Sequence, residues 1–151
     1  DLPDGLILIG PRSFSGCKSL VTVSTPPTTE IIEDRAFASC TQLAEIGLHS
    51  GLKSIGNESF RECRSLKTIG LALTGGCTPS IEECTESVSR TDTLGSIGKQ
   101  AFQECHSLTE VCLHNGRHLK SIGKESFQYC YSLRAVSMPR TMESIGKRAF
   151  Q

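Results

Sequence analysis

Cysteine and histidine offer this chain most of its scope for chemistry. Eight cysteines occur, at positions 17, 40, 63, 77, 84, 105, 112 and 130. An even number in a short exported chain can form a disulfide framework. Two cysteines separated by two to four residues would point to zinc, and that spacing is absent. His49 and His114, with Glu45, Glu110 and Cys112, carry ligand and acid–base chemistry of their own. They form a metal site only if Cys77 is brought beside them, so no metal is assigned. His106 and His118 read as solvated edge residues. No glycine-rich phosphate loop, HExxH or G-x-S-x-G string occurs. The chain is therefore read as non-enzymatic, with no catalytic residue and no cofactor.

The spacing of the cysteines explains most of them. Phenylalanine occurs at 14, 37, 60, 102, 127 and 150 and nowhere else. Around each one the same frame returns. An isoleucine lies five residues before (Ile9, Ile32, Ile55, Ile97, Ile122, Ile145), followed by glycine except at Glu33. A cysteine lies three after (Cys17, Cys40, Cys63, Cys105, Cys130) and a leucine six after (Leu20, Leu43, Leu66, Leu108, Leu133). Isoleucine or valine lies nine after, and an apolar residue eleven after except at Thr25. A unit of about 23 residues cannot bury its own apolar face, but stacked copies can. Each column then becomes a ladder through one continuous core.

The elements follow from this frame. The L-x-x-[IV]-x-[LM] segment reads as a strand with alternate residues inward. One strand per coil, always in the same direction, makes a parallel sheet. The IG-x-x-[AS]-F-x-x-C segment returns the chain on the other side, in irregular or 3₁₀ turns. The expected fold is a right-handed α/β solenoid of six to seven coils, one domain over residues 1–151. In such a ladder the five column cysteines stack as small buried thiols. Disulfides between coils are the alternative: a Cα spacing of about 5 Å permits them, but parallel side chains do not favour them.

The string IGKESFQYCYSLRAVSMP (122–139) resembles the BspA-like, or Treponema-type, leucine-rich repeat. The resemblance extends over all but roughly residues 73–93. It implies a surface-exposed or exported protein, at the cell surface or in the periplasm, acting in adhesion and protein binding. Pro26, Pro27 and Glu33 depart from the pattern in the second copy.

The step from Phe60 to Phe102 contains an insertion, at about 73–93. Pro79-Ser80-Ile81-Glu82-Glu83 reads as a helix start, with Ser80 and Glu83 as a capping box. Ile81, Cys84 and Val88 then share one helical face, predicting a short helix near 81–90. A polar loop is the alternative, and Cys77 and Cys84 could close it by a disulfide.

The residues expected to face outward from the strands form three columns. The first runs Thr22, Glu45, Thr68, Glu110 and Ala135; the second Ser24, Gly47, Gly70, Cys112 and Ser137. The third is Pro26, His49, Ala72, His114 and Pro139. The middle column is all small and opens a groove along a concave face. A protein, a peptide or a small apolar ligand would fit it, with Ile81, Cys84 and Val88 as contacts from the insertion. The bland alternative is that these small residues serve curvature or pack the inserted helix.

Charge narrows the partners. Lysine plus arginine and aspartate plus glutamate number 16 each. A net charge of zero gives no long-range attraction to nucleic acid, and no apolar run is long enough to span a bilayer. The reading is a protein-interaction or ligand-binding scaffold. The alternative is a homo-oligomeric assembly unit joined through the insertion or through uncapped solenoid ends.

Overall fold

The computed structural model describes residues 2–49, 51–70, 93–113 and 118–151. Two kinds of strand alternate along the chain. Two-residue strands end on the isoleucine of each repeat: β1 (Leu8–Ile9), β3 (Ile31–Ile32), β5 (Ser54–Ile55), β7 (Ser96–Ile97), β9 (Ser121–Ile122) and β11 (Ser144–Ile145). Three-residue strands centre on the column nine after phenylalanine: β2 (Thr22–Ser24), β4 (Glu45–Gly47), β6 (Thr68–Gly70), β8 (Glu110–Cys112) and β10 (Ala135–Ser137). All pair in parallel with their counterparts in neighbouring coils.

The short strands form one continuous sheet in the order β1-β3-β5-β7-β9-β11. The longer strands form β2-β4 and β6-β8-β10, with β4 lying against β6. The described residues form a parallel β-solenoid of about five turns, fewer than the six to seven coils expected.

The described residues do not bear out the expected α/β class. The described residues contain strands and turns but no helix and no 3₁₀ segment. The return side, expected to be irregular, carries its own six-stranded sheet. Serine-isoleucine pairs are β-compatible, and each bonds to an identical pair one coil away, so the ladder forms where a lone repeat would leave loop. The predicted helix near 81–90 lies outside the described residues. The strands flanking that segment pair directly, β5 with β7 and β6 with β8.

The core is the set of ladders. Phe37, Phe60, Phe102 and Phe127 are fully or almost fully buried. All six rings stack in one column, with centroids 5.1–5.3 Å apart and planes within 8° of parallel. A column eight before phenylalanine adds Leu52, Leu94 and Leu119, all buried, with Leu6 and Met142 partly so. Thr25 fits the apolar column because it is buried and its hydroxyl donates to the Gly47 carbonyl at 2.7 Å.

The turn around each phenylalanine has a backbone code of its own. Residues two before and two after the ring take positive φ, among them Arg35 (58°) and Ser39 (58°), Glu58 (53°) and Glu62 (61°). Their N–H groups point at the next coil: Arg35, Phe37 and Ser39 donate to the carbonyls of Asn57, Ser59 and Arg61 at 2.7–2.8 Å. Glycine follows the isoleucine because the coils nearly touch there. A Cβ at Gly56, Gly98, Gly123 or Gly146 would lie 2.4–2.6 Å from backbone of the preceding coil.

Candidate functional site

Of the five column cysteines expected to be buried, Cys40, Cys63, Cys105 and Cys130 pack into the ladder and Cys17 does not. None is bridged, and Cys40, Cys63 and Cys105 are fully buried. Each donates its thiol to the phenylalanine carbonyl of the preceding coil: Cys40 to Phe14 at 3.0 Å, Cys63 to Phe37 at 3.2 Å, Cys105 to Phe60 at 3.3 Å. Cys130 does the same to Phe102 at 3.2 Å. Burial pushes the Cys40 thiol up to about 11 and Cys130 to about 12, and raises Cys63 and Cys105 still further. These sulfurs are neither nucleophiles nor ready metal ligands. Only Cys17 of the column is exposed.

The expected contact face is carried by the three-residue strands. Their central residues point inward: Ile46, Ile69 and Val111 are buried. The flanking residues therefore face away from the core. Register places Gly70, Cys112 and Ser137 side by side, as it does Ser24 and Gly47. Thr68, Glu110 and Ala135 form the parallel row, and Thr22 is level with Glu45. His49 is half-buried. Ala72, His114, Ile81, Cys84, Val88 and Cys77 lie outside the described residues. Cys112 lies between the buried Val111 and Leu113 and is itself partly exposed.

The glycines in this row differ from those after isoleucine. A Cβ added at Gly47 would meet the Ser24 side chain at 3.7 Å and its Cα at 3.8 Å, an ordinary contact. Coil stacking therefore does not demand glycine at 47.

Polar ladders run along the turns. Arg35 forms a two-pronged pair with Glu58, at 2.8 and 3.1 Å. Arg61 reaches Glu58, Glu62 and Glu104 at 3.4–3.7 Å. The hydrogen bond from Arg35 holds the Glu58 carboxyl below its ordinary range against the opposing effect of burial. Gln103 donates to Gln128 at 2.8 Å in a buried amide pair. His118 is exposed, and His106 stacks on Tyr131 with centroids 5.3 Å apart. Among the described residues, no three His, Cys, Asp or Glu side chains are grouped to hold a metal. No helix among them is long and apolar enough to cross a membrane.

One set of surface residues escaped the sequence reading. The column three before phenylalanine runs Pro11, Asp34, Asn57, Lys99, Lys124 and Lys147. Its signal was there to be read at the repeat period, but it is a gradient of charge and not a repeated residue type.

The model of the BspA type leucine rich repeat region matches the chain in six copies, over residues 1–75 and 77–151. Among solved structures, a leucine-rich repeat protein from Bacteroides ovatus ATCC 8483 is 31% identical with a TM-score of 0.71, the match covering 91% of this chain and 30% of that one. The T. pallidum leucine rich repeat protein TpLRR is 30% identical with a TM-score of 0.72, the match covering 93% and 63% respectively. A leucine rich cell surface protein from Faecalibacterium prausnitzii A2-165 is 28% identical with a TM-score of 0.75, over 97% and 34%. The chain thus spans about a third to two thirds of these proteins' lengths. No curated protein matches it.

Proposed function

Because the chain belongs to the BspA-type leucine-rich repeat family, we propose that it is a non-enzymatic scaffold that binds a protein or peptide through the face of its three-residue strands. The observation that carries this is the row Ser24, Gly47, Gly70, Cys112, Ser137. Its residues are small and level in register within each sheet, Ser24 with Gly47 and Gly70 with Cys112 and Ser137, and at Gly47 the fold has room for a Cβ. A strip bordered by Glu45, Thr68 and Glu110 suits an extended segment with basic side chains better than a small apolar ligand. Peptide recognition on a sheet uses such alternating pockets and borders. The insertion at about 73–93 leaves the chain just after β6, and its residues Ile81, Cys84 and Val88 would add contacts at the rim.

The same reading places the protein outside the cell or at its surface, in an adhesion role. The similar F. prausnitzii protein is a cell surface protein.

A displayed library of random peptides, selected on the folded chain, tests the site. Selected peptides should lose at least tenfold in affinity for the Gly47→Trp and Ser137→Trp variants. They should bind Ser144→Trp, an exposed change on the opposite sheet, as they bind the unchanged chain. Equal binding to all three variants would move the site elsewhere.

A further inference from the structure

A net charge of zero hides a segregated surface. In the column three before phenylalanine, the first rungs are self-sufficient. Asp34 Oδ1 accepts the backbone N–H of Asn57 at 2.7 Å, and Asn57 Oδ1 accepts that of Lys99 at 2.8 Å. The Asn57 amide also donates to Asp34 Oδ2 at 3.2 Å. Each side chain thus supplies the acceptor for the next coil's N–H.

From Lys99 onward the acceptor is gone. A lysine ammonium has three donors and no acceptor. Among the described residues, the N–H groups of Lys124 and Lys147 form no hydrogen bond. Lys99, Lys124 and Lys147 are all exposed and lie on successive coils. The ring ladder beneath them sets the coil spacing, 5.2 Å from Phe102 to Phe127 and 5.1 Å from Phe127 to Phe150. Arg148 is exposed beside the last rung. The local counter-charge is Glu125, one oxygen of which lies 3.3 Å from Lys124 Nζ while the other accepts from Gln100 at 2.8 Å. Glu125 is nearly buried, and one carboxylate does not neutralise four cations. Lys120 is paired separately with Glu143 at 3.1 Å.

We infer that Lys99, Lys124 and Lys147 form a binding strip for an anionic polysaccharide, with carboxylate or sulfate oxygens taking the place that Asp34 and Asn57 side-chain oxygens fill on the earlier rungs. Stacked like charges without internal acceptors favour an external anion. The backbone around the strip favours the class. A polyanionic glycan needs only cations and donors along its length. Peptide recognition on a sheet uses a free strand edge or alternating pockets, and Lys99, Lys124 and Lys147 lie in turns. Single-stranded nucleic acid uses interleaved aromatic platforms, and this column contains none. The strip is separate from the strand face and does not depend on the reading given for it.

The test is retention on a heparin column and titration with a heparin octasaccharide at low salt. The unchanged chain should bind, with affinity falling as salt rises. The triple variant Lys99→Gln/Lys124→Gln/Lys147→Gln should lose at least tenfold and show a shallower salt dependence. A charge-matched control, Lys18→Gln/Lys53→Gln/Lys67→Gln, should lose less than threefold. Lys99→Asn restores the acceptor for the Lys124 N–H, so it should weaken binding while raising the thermal midpoint. Circular dichroism confirms that each variant is folded. Equal losses in both triple variants, no binding by the unchanged chain, or tighter binding of a single-stranded oligonucleotide than of the octasaccharide would each overturn the inference.

Discussion

The buried cysteine ladder predicts a reactivity pattern that no disulfide framework would give. The perturbation is alkylation of the native chain by iodoacetamide at pH 8. Attack requires thiolate. At this pH a thiol with the ordinary value of 9.0 is ionised about one part in ten, whereas Cys40 at about 11 is ionised about one part in a thousand. Ionisation alone therefore slows Cys40 about a hundredfold. Access slows it further, because Cys40, Cys63 and Cys105 have no exposed surface and each thiol is bonded to the neighbouring coil. Reaching them requires opening of the stack, which for core elements approaches the global unfolding free energy, about 5 kcal/mol or more. Opening restores ordinary ionisation, so the two routes do not multiply, and protection relative to the exposed Cys17 is on the order of a hundredfold to a thousandfold or greater. Timed alkylation, quenching and peptide mass mapping measure this directly. Cys17 should react first, with Cys40, Cys63, Cys105 and Cys130 all following slowly. All five should react in denaturant. Modification of Cys63 within tenfold of the Cys17 rate, or any sulfur–sulfur link between column cysteines in unreduced peptides, would refute the reasoning.

Further outcomes follow from the same packing. Phe60→Ala removes a fully buried ring stacked on both sides and should cost about 3–5 kcal/mol in urea unfolding; Phe150→Ala, a 40% exposed ring stacked on Phe127, should cost less than half as much. Gly98→Ala puts a methyl 2.6 Å from the Gly56 carbonyl carbon and should cost about 1–3 kcal/mol, whereas Gly47→Ala, with its nearest neighbour at 3.7 Å, should change stability by about 0.5 kcal/mol or less. Because the folded chain raises its buried thiols above their unfolded value, their contribution is intact below pH 9 and is lost as pH climbs toward about 11 for Cys40 and about 12 for Cys130; denaturant midpoints should fall in that window, at most about 1.4 kcal/mol per pH unit for each thiol. Glu58 has the opposite sign, since Arg35 lowers its folded pKa: its contribution is present above about pH 4.5 and lost as pH falls below, and Glu58→Gln should remove less than about 1 kcal/mol at pH 7, the Arg35 side chain being 43% exposed.

The apolar ladders were legible because burial repeats a residue type. Phe, Ile, Cys and Leu recur where the core requires a given size, and counting steps between phenylalanines was enough to place them. The cysteines were legible as thiols for the same reason, since a column of one small side chain at the repeat period is a packing feature. The second sheet was not legible. Ser54–Ile55 and its equivalents are two residues long, too short for any alternation to register, and they become strands only because an equivalent pair lies beside them. The lysine column was missed because its residues change from Asp34 to Lys147 while the backbone position stays the same.

The positive-φ positions make the same point about the turns. Outside glycine such conformations usually fall to Asn or Asp, yet here they hold Arg35, Ser39, Glu58, Glu62, Gln100 and Tyr129 among others. Nothing in those residue types announces a left-handed backbone, and each such residue costs on the order of 1 kcal/mol or more. What offsets the cost lies in another coil. Each such turn sends alternate N–H groups to the following coil, as Glu58, Phe60 and Glu62 do to Lys99, Ala101 and Gln103 at 2.7–2.9 Å. The short strands send theirs the other way, as Gly56 does to Ile32 and Gly98 does to Ile55, both at 2.8 Å. Neighbouring coils are therefore bonded by two sets of donors running in opposite directions, and a coil is satisfied only with a neighbour on each side. The conformation of a single repeat is thus a property of the stack, which is why the period could be read from one copy after another while the backbone of any one copy could not.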